Sequence, residues 1–148
     1  MAGKLYLDDL HVGQRFTAGP ISVTAAEIKS FAAEFDPQPF HLDETAAEGT
    51  LFRGLAASGW HTAALTMRML TAGGMPIATG VIGVGGEIEW PRPMRAGDEL
   101  RVETEVLAIK PSRSKSNQAI VTMRSTTINQ NGDPVQILTA KLVAFSRP

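Results

Sequence analysis

The sequence predicts an α+β fold in which a curved antiparallel sheet wraps around one long, buried central helix. Three observations predict it. Segments of helical period come before most segments of strand period. Residues 59–72 carry Arg68 as their only formal charge, with alanine, leucine and methionine on every face, so a helix there must be buried on nearly all sides. The later segments alternate with period two and are joined by short turn signals, which makes the sheet a meander.

Taken in order, residues 5–23 contain Gly13, Gly19 and Pro20 and read as short extended pieces and turns, with Phe16 and Ile21 available to a sheet. Thr24-Ala25-Ala26-Glu27 is a capping box. Ile28, Phe31, Ala32 and Phe35 then recur at helical spacing as one apolar stripe, and Pro37 stops that helix. Residues 36–42 read as a stiff loop, and Asp43 caps a short helix closed by Gly49. The uncharged helix of residues 59–72 ends at Gly73-Gly74. Alternation in Glu87-Ile88-Glu89-Trp90, in residues 100–106 and around Val121 and Met123, with a longer run rich in β-branched residues from Val135 to Phe145, gives four strands. Turns at residues 95–98, 110–113 and 131–133 separate them.

Length and composition narrow the function. A chain of 148 residues fits a single domain spanning 1–148, and 43% hydrophobic against 20% charged residues makes it globular. A formal net charge of -1 argues against nucleic acid as a partner. The absence of cysteine excludes disulfides, thiolate metal sites and cysteine nucleophiles. His11, His41 and His61 stand at unlike spacings and form no metal motif. The first residues have no apolar signal core and no apolar run reaches membrane-spanning length, so a cytoplasmic location without membrane association is expected.

The residues that carry chemistry lie in Asp36-Pro37-Gln38-Pro39-Phe40-His41-Leu42-Asp43 and in Ser58-Gly59-Trp60-His61. Asp36 and His41 are a candidate general acid/base pair held by two prolines. Gly59, at a helix start, is a candidate oxyanion donor, because its amide has no helical acceptor and glycine allows close approach. Ser58 reads as the helix cap. His61 and Arg68 share a face and read as packing or interface residues. Lys110, Arg113 and Lys115 cluster at one hairpin, which could be a solvated turn or a phosphate contact.

These segments resemble the MaoC-like (R)-specific enoyl-CoA hydratases, a family with the hot-dog fold. The acid-to-histidine spacing of residues 36–43 is similar to the family's motif. So are Ser58-Gly59-Trp60, Trp90-Pro91-Arg92-Pro93 with Gly97-Asp98, and the hairpin Arg113-Ser114-Lys115-Ser116. Gln38 stands where the family has asparagine, and Ser58 where it has histidine.

The resemblance implies reversible addition of water to a short or branched enoyl-CoA without a cofactor. Asp36 and His41 hold the water, and the Gly59 amide receives the thioester oxygen. Gln38, Phe40, Ser58 and Trp60 contact substrate, and Arg113 and Lys115 meet coenzyme A. A homodimer, or a larger assembly, is also implied. The same fold hosts thioesterases and non-catalytic acyl-thioester-binding subunits, and these remain the alternatives.

Overall fold

The computed structural model describes residues 3–148; Met1 and Ala2 of the N-terminal run lie outside them. The capping box forms as its residue types dictate. Glu27 N donates to Thr24 Oγ1 at 3.1 Å, Thr24 N donates to Glu27 Oε1 at 3.0 Å, and α1 follows over Ala25–Phe35. Ile28 and Ala32 are buried on its inner side, but Phe35 is 64% exposed, so the apolar stripe is shorter than its spacing suggests.

Pro39 at a first helical position starts α2, a single turn over Pro39–Leu42. His41 therefore sits on a helical turn and not in the loop that the two prolines imply. Asp43 caps α3, Glu44–Glu48, accepting from Ala46 N at 2.8 Å. The long helix, α4, spans Gly59–Met69 and gives way to a π turn at Leu70–Gly74.

Five strands make one antiparallel sheet: β1 Arg15–Ser22, β2 Gly83–Glu89, β3 Glu99–Pro111, β4 Gln118–Ile128 and β5 Pro134–Phe145. Their order is β1-β3-β4-β5-β2. On the central strands inward and outward residues alternate, so Val102, Val106, Val121, Met123, Leu142 and Ala144 face Leu65, Met69 and Leu70 across the core.

The layout is α+β and hot-dog-like, but the expected sheet wrapped around a fully buried helix is not what forms. β1 and β2 stand at opposite edges and do not pair with each other, so the sheet is open. Five strands are too few to close around a helix. The helix is consequently not covered all round: Trp60 is 59% and Met67 43% exposed. Its inner side also carries a hydroxyl row at four-residue spacing, Ser58, Thr62 and Thr66, all buried. Thr66 ties it to the sheet through Thr127 Oγ1 at 2.6 Å. That row is visible in the sequence, where the eye stops at the absence of charge.

Candidate active site

Three segments meet at the N-terminus of α4, held by a few backbone bonds. Ala56 N donates to Phe40 O at 3.0 Å, and Ala57 N donates to Met94 O at 2.9 Å. Thus α2, the loop residues before α4 and the segment before β3 are drawn to one point. Arg95 adds a further tie. Its guanidinium donates to the carbonyl oxygens of Phe52, Gly54 and Leu55 at 2.5, 2.9 and 3.1 Å, fixing the loop that precedes α4. Sequence reasoning treats Arg95 only as part of a turn; nothing in a run of turn residues announces a clamp 40 residues away.

His41 is buried, and its Nδ1 lies 2.6 Å from the Ala56 carbonyl oxygen. A carbonyl only accepts, so Nδ1 carries a proton and Nε2 of the neutral ring presents a lone pair. Nε2 faces Asp36 Oδ2 at 3.3 Å. Gln38 Nε2 donates to the other carboxylate oxygen of Asp36. Partial burial pushes the Asp36 pKa up. Hydrogen bonds from Ser58 and Gln38 outweigh it, with attraction to His41 adding to them whenever that ring is protonated, and hold the carboxyl below its ordinary 3.8. Asp36 is thus an anion at neutral pH beside a histidine of fixed tautomer. A water standing to one side of the two acceptors could donate one hydrogen to each and leave its own lone pairs directed outward.

Ser58 caps α4. Its Oγ accepts from Trp60 N at 3.2 Å, and its carbonyl accepts from His61 N and Thr62 N. Gly59 N has no acceptor among the described residues, and it sits at the positive end of the helix. The glycine has a packing reason as well. A Cβ on Gly59 would meet ring carbons of Trp90 at 2.6 to 2.9 Å. The space that sequence reasoning gives to an approaching ligand is partly filled by an indole.

A cavity of about 580 Å³ opens beside these groups. Its wall includes Gln38, Phe40, His41, Gly59 and Trp90. Not every expected contact lies there. Asp36 stands next to the wall behind His41, Ser58 is wholly buried as the cap, and Trp60 lies outside with its ring edge-on to Trp90 at 5.3 Å. Arg113 and Lys115 are at the β3–β4 hairpin, separated from the cavity by the 13 residues of β3, about 40 Å of strand at the usual rise. Within one chain they do not meet the site. The cations on its wall are the clamped Arg95 and Arg92, whose side chain is 58% exposed and only loosely paired with Asp133 at 4.0 Å.

His61, one turn into α4, stacks on Phe31 at 4.6 Å between ring centres with 6° between planes. It is part of the packing between α1 and α4 and does not line the cavity. Burial holds its pKa below 6.5, with Glu27 opposing and Arg68 reinforcing the shift. Among the described residues no group of histidines and carboxylates could hold a metal ion, and no helix is long and apolar enough to cross a membrane.

Comparison with known proteins agrees with this geometry. The chain is 62% identical in sequence to the MaoC-like dehydratase of Rhodospirillum rubrum, with a TM-score of 0.96 over 97% of this chain and 99% of that one. It is 30% identical to an (R)-hydratase of Pseudomonas aeruginosa, with a TM-score of 0.76 over 97% of this chain and 88% of that one. It is 29% identical to a 3-hydroxybutyryl-CoA dehydratase of Methylorubrum extorquens, over 78% of this chain and 72% of that protein. Residues 9–129 match the MaoC like domain, a span that holds the histidine, its carboxylate and the open helix start together, and the chain accordingly belongs to the MaoC-like dehydratase family.

Proposed function

We propose that the protein is a hydro-lyase that reversibly adds water across the double bond of an enoyl thioester of coenzyme A. The observation that carries this reading is the pairing of His41 Nε2 with the Asp36 carboxylate beside an unpaired helix-start amide. In hydration the water oxygen bonds to the β-carbon, a water proton passes to the pair, and the α-carbon receives a proton. Negative charge gathers meanwhile on the thioester oxygen. Asp36 and His41 supply the proton positions, and the Gly59 amide, backed by the helix dipole, is placed for the oxygen. One pair serving both proton steps from one side implies syn addition. Dehydration runs through the same arrangement in reverse.

The relatives support the substrate class, since they include an (R)-hydratase and a 3-hydroxybutyryl-CoA dehydratase. Gln38 and Phe40 are proposed as substrate contacts from their place on the cavity wall. A homodimer belongs to the proposal. The exposed Trp60 and Met67 and the almost wholly exposed edge strand β2 are surfaces that a second copy would cover. A cytoplasmic location is proposed with it, drawn from the thioester substrate class.

The test is an absorbance assay with crotonyl-CoA and branched enoyl-CoA thioesters, run beside Asp36→Asn. Loss of the enoyl band without release of free coenzyme A, abolished by the substitution, supports the hydratase. Release of free coenzyme A would replace it with a thioesterase. Binding without either reaction would leave a non-catalytic acyl-thioester protein.

A further inference from the structure

Gln136 is fully buried on β5, yet its side-chain amide is only half used. Its Oε1 accepts the indole N–H of Trp90 at 3.0 Å, while its Nε2 has no partner among the described residues. It lies opposite Thr127 in the β4–β5 register, and Thr127 is joined by its hydroxyl to Thr66 of α4. Burying an amide with unpaired donors costs stability that a leucine of similar size would not. The bond it does make acts on the site. Trp90 follows the end of the exposed strand β2 and is itself 39% exposed on the cavity wall, where an untethered ring would be free to turn. Instead the ring rests on Gly59 with no room for a Cβ between them.

We propose that Gln136 is a positioning residue: through Trp90 it fixes the cavity wall against Gly59, and so fixes the path by which a thioester carbonyl reaches the helix-start amide. The proposal rests on the hydratase reading for the reaction it serves, and on the Gln136–Trp90–Gly59 geometry for its mechanism. It accounts for a costly buried glutamine near the start of β5, which packing alone does not.

The test uses the full chain with Gln136→Leu, Gln136→Glu, Trp90→Phe and the Gln136→Leu/Trp90→Phe double variant. Gln136→Leu is expected to lower kcat/KM on crotonyl-CoA about tenfold, the scale of one lost hydrogen bond that matters in the transition state. Its thermal midpoint should not fall. Gln136→Glu, which keeps an acceptor oxygen, should recover most of the rate. Because the residue acts through the indole N–H, Gln136→Leu should cost nothing further in the Trp90→Phe background. In a Trp60→Phe background Trp90 is the sole tryptophan, and its emission should move to longer wavelength with Gln136→Leu but not with Gln136→Glu.

An unchanged kcat/KM, additive losses in the double variant, or an unchanged emission from an active enzyme would each overturn the role while leaving the hydratase reading in place. A wild type silent toward all enoyl thioesters would remove the reaction and the role together.

Discussion

His41 is locked from behind by Ala56: the ring Nδ1 and the Ala56 carbonyl oxygen are 2.6 Å apart, and Ala56 N in turn bonds to Phe40 O. The neighbouring residues on α2 therefore grip one residue of the extended segment before α4, and the Nε2 lone pair is directed toward Asp36. Asp36→Asn and His41→Ala should each reduce kcat on crotonyl-CoA by a factor of about 10²–10⁴. Circular dichroism should show both variants folded. Near-wild-type turnover in either would remove that residue from the mechanism.

Gly59→Ala tests packing and catalysis together, because its new Cβ runs into the Trp90 ring. A rigid indole with an anchored N–H cannot simply step aside, so the substitution should cost about 1–3 kcal/mol of stability. Adding Trp90→Leu to the same chain should restore the thermal midpoint in large part, while the rate stays low. Loss of stability that Trp90→Leu fails to relieve would place the strain elsewhere.

Arg95→Met should free the loop from Phe52 to Leu55, since its guanidinium is the group that gathers those carbonyls. Three charge-assisted bonds lost from a partly buried side chain make about 2 kcal/mol a reasonable scale. Hydrogen exchange should rise in residues 52–57 and KM should rise more than kcat falls. Exchange that is unchanged in that loop would contradict the clamp.

Arg92→Gln is expected to raise KM for crotonyl-CoA, but not for a truncated thioester lacking the coenzyme A phosphates, because Arg92 is the loosely paired cation at the cavity. Arg113→Gln and Lys115→Gln should leave both KM values near wild type if the site is complete within one chain. A selective rise from the hairpin variants would mean that a second copy brings its own hairpin to the site.

His61 gives a pH dependence whose sign is fixed by its surroundings. Its folded pKa is held below the ordinary 6.5. Below that value the unfolded chain takes up a proton that the folded chain resists, so stability is lost as the pH falls from 6.5 through the folded pKa. Glu27 on α1 opposes the shift, and Arg68 on α4 adds to it. His61→Phe keeps the stack on Phe31 and removes the proton. The difference in thermal midpoint between about pH 7.5 and about pH 5.5 should therefore be smaller in the variant than in the wild type. Equal differences would show that His61 does not titrate in this range.

Much of this was legible in one dimension where the cause is local. Thr24 and Glu27 cap a helix because their side chains reach the nearest free amides, and Asp43 does the same for α3. Alternation in β3 and β4 marks inner and outer faces because strand side chains point oppositely in turn. Even Asp36 and His41, five residues apart, are close in sequence because one helical turn is enough to bring them together. Two local signals were present but misleading. Pro39 starts a helical turn that reads as loop, and the lack of charge along α4 hides the row Ser58, Thr62 and Thr66.

What the sequence determined by itself is most of the elements and the short spacing from Asp36 to His41, since each depends on residues within a turn or two of one another; the helical turn α2 and the meeting of the two side chains came from the folded chain. Tertiary structure decided the rest, because the deciding contacts join residues far apart in the chain. The sheet is left open by which strands end at its edges, and α4 is left half covered by the same fact. Trp90 rests on Gly59, Arg95 clamps carbonyls about 40 residues earlier, and Gln136 reaches Trp90 from 46 residues away. No spacing rule spans such separations; only packing selects which distant side chains fill one another's space.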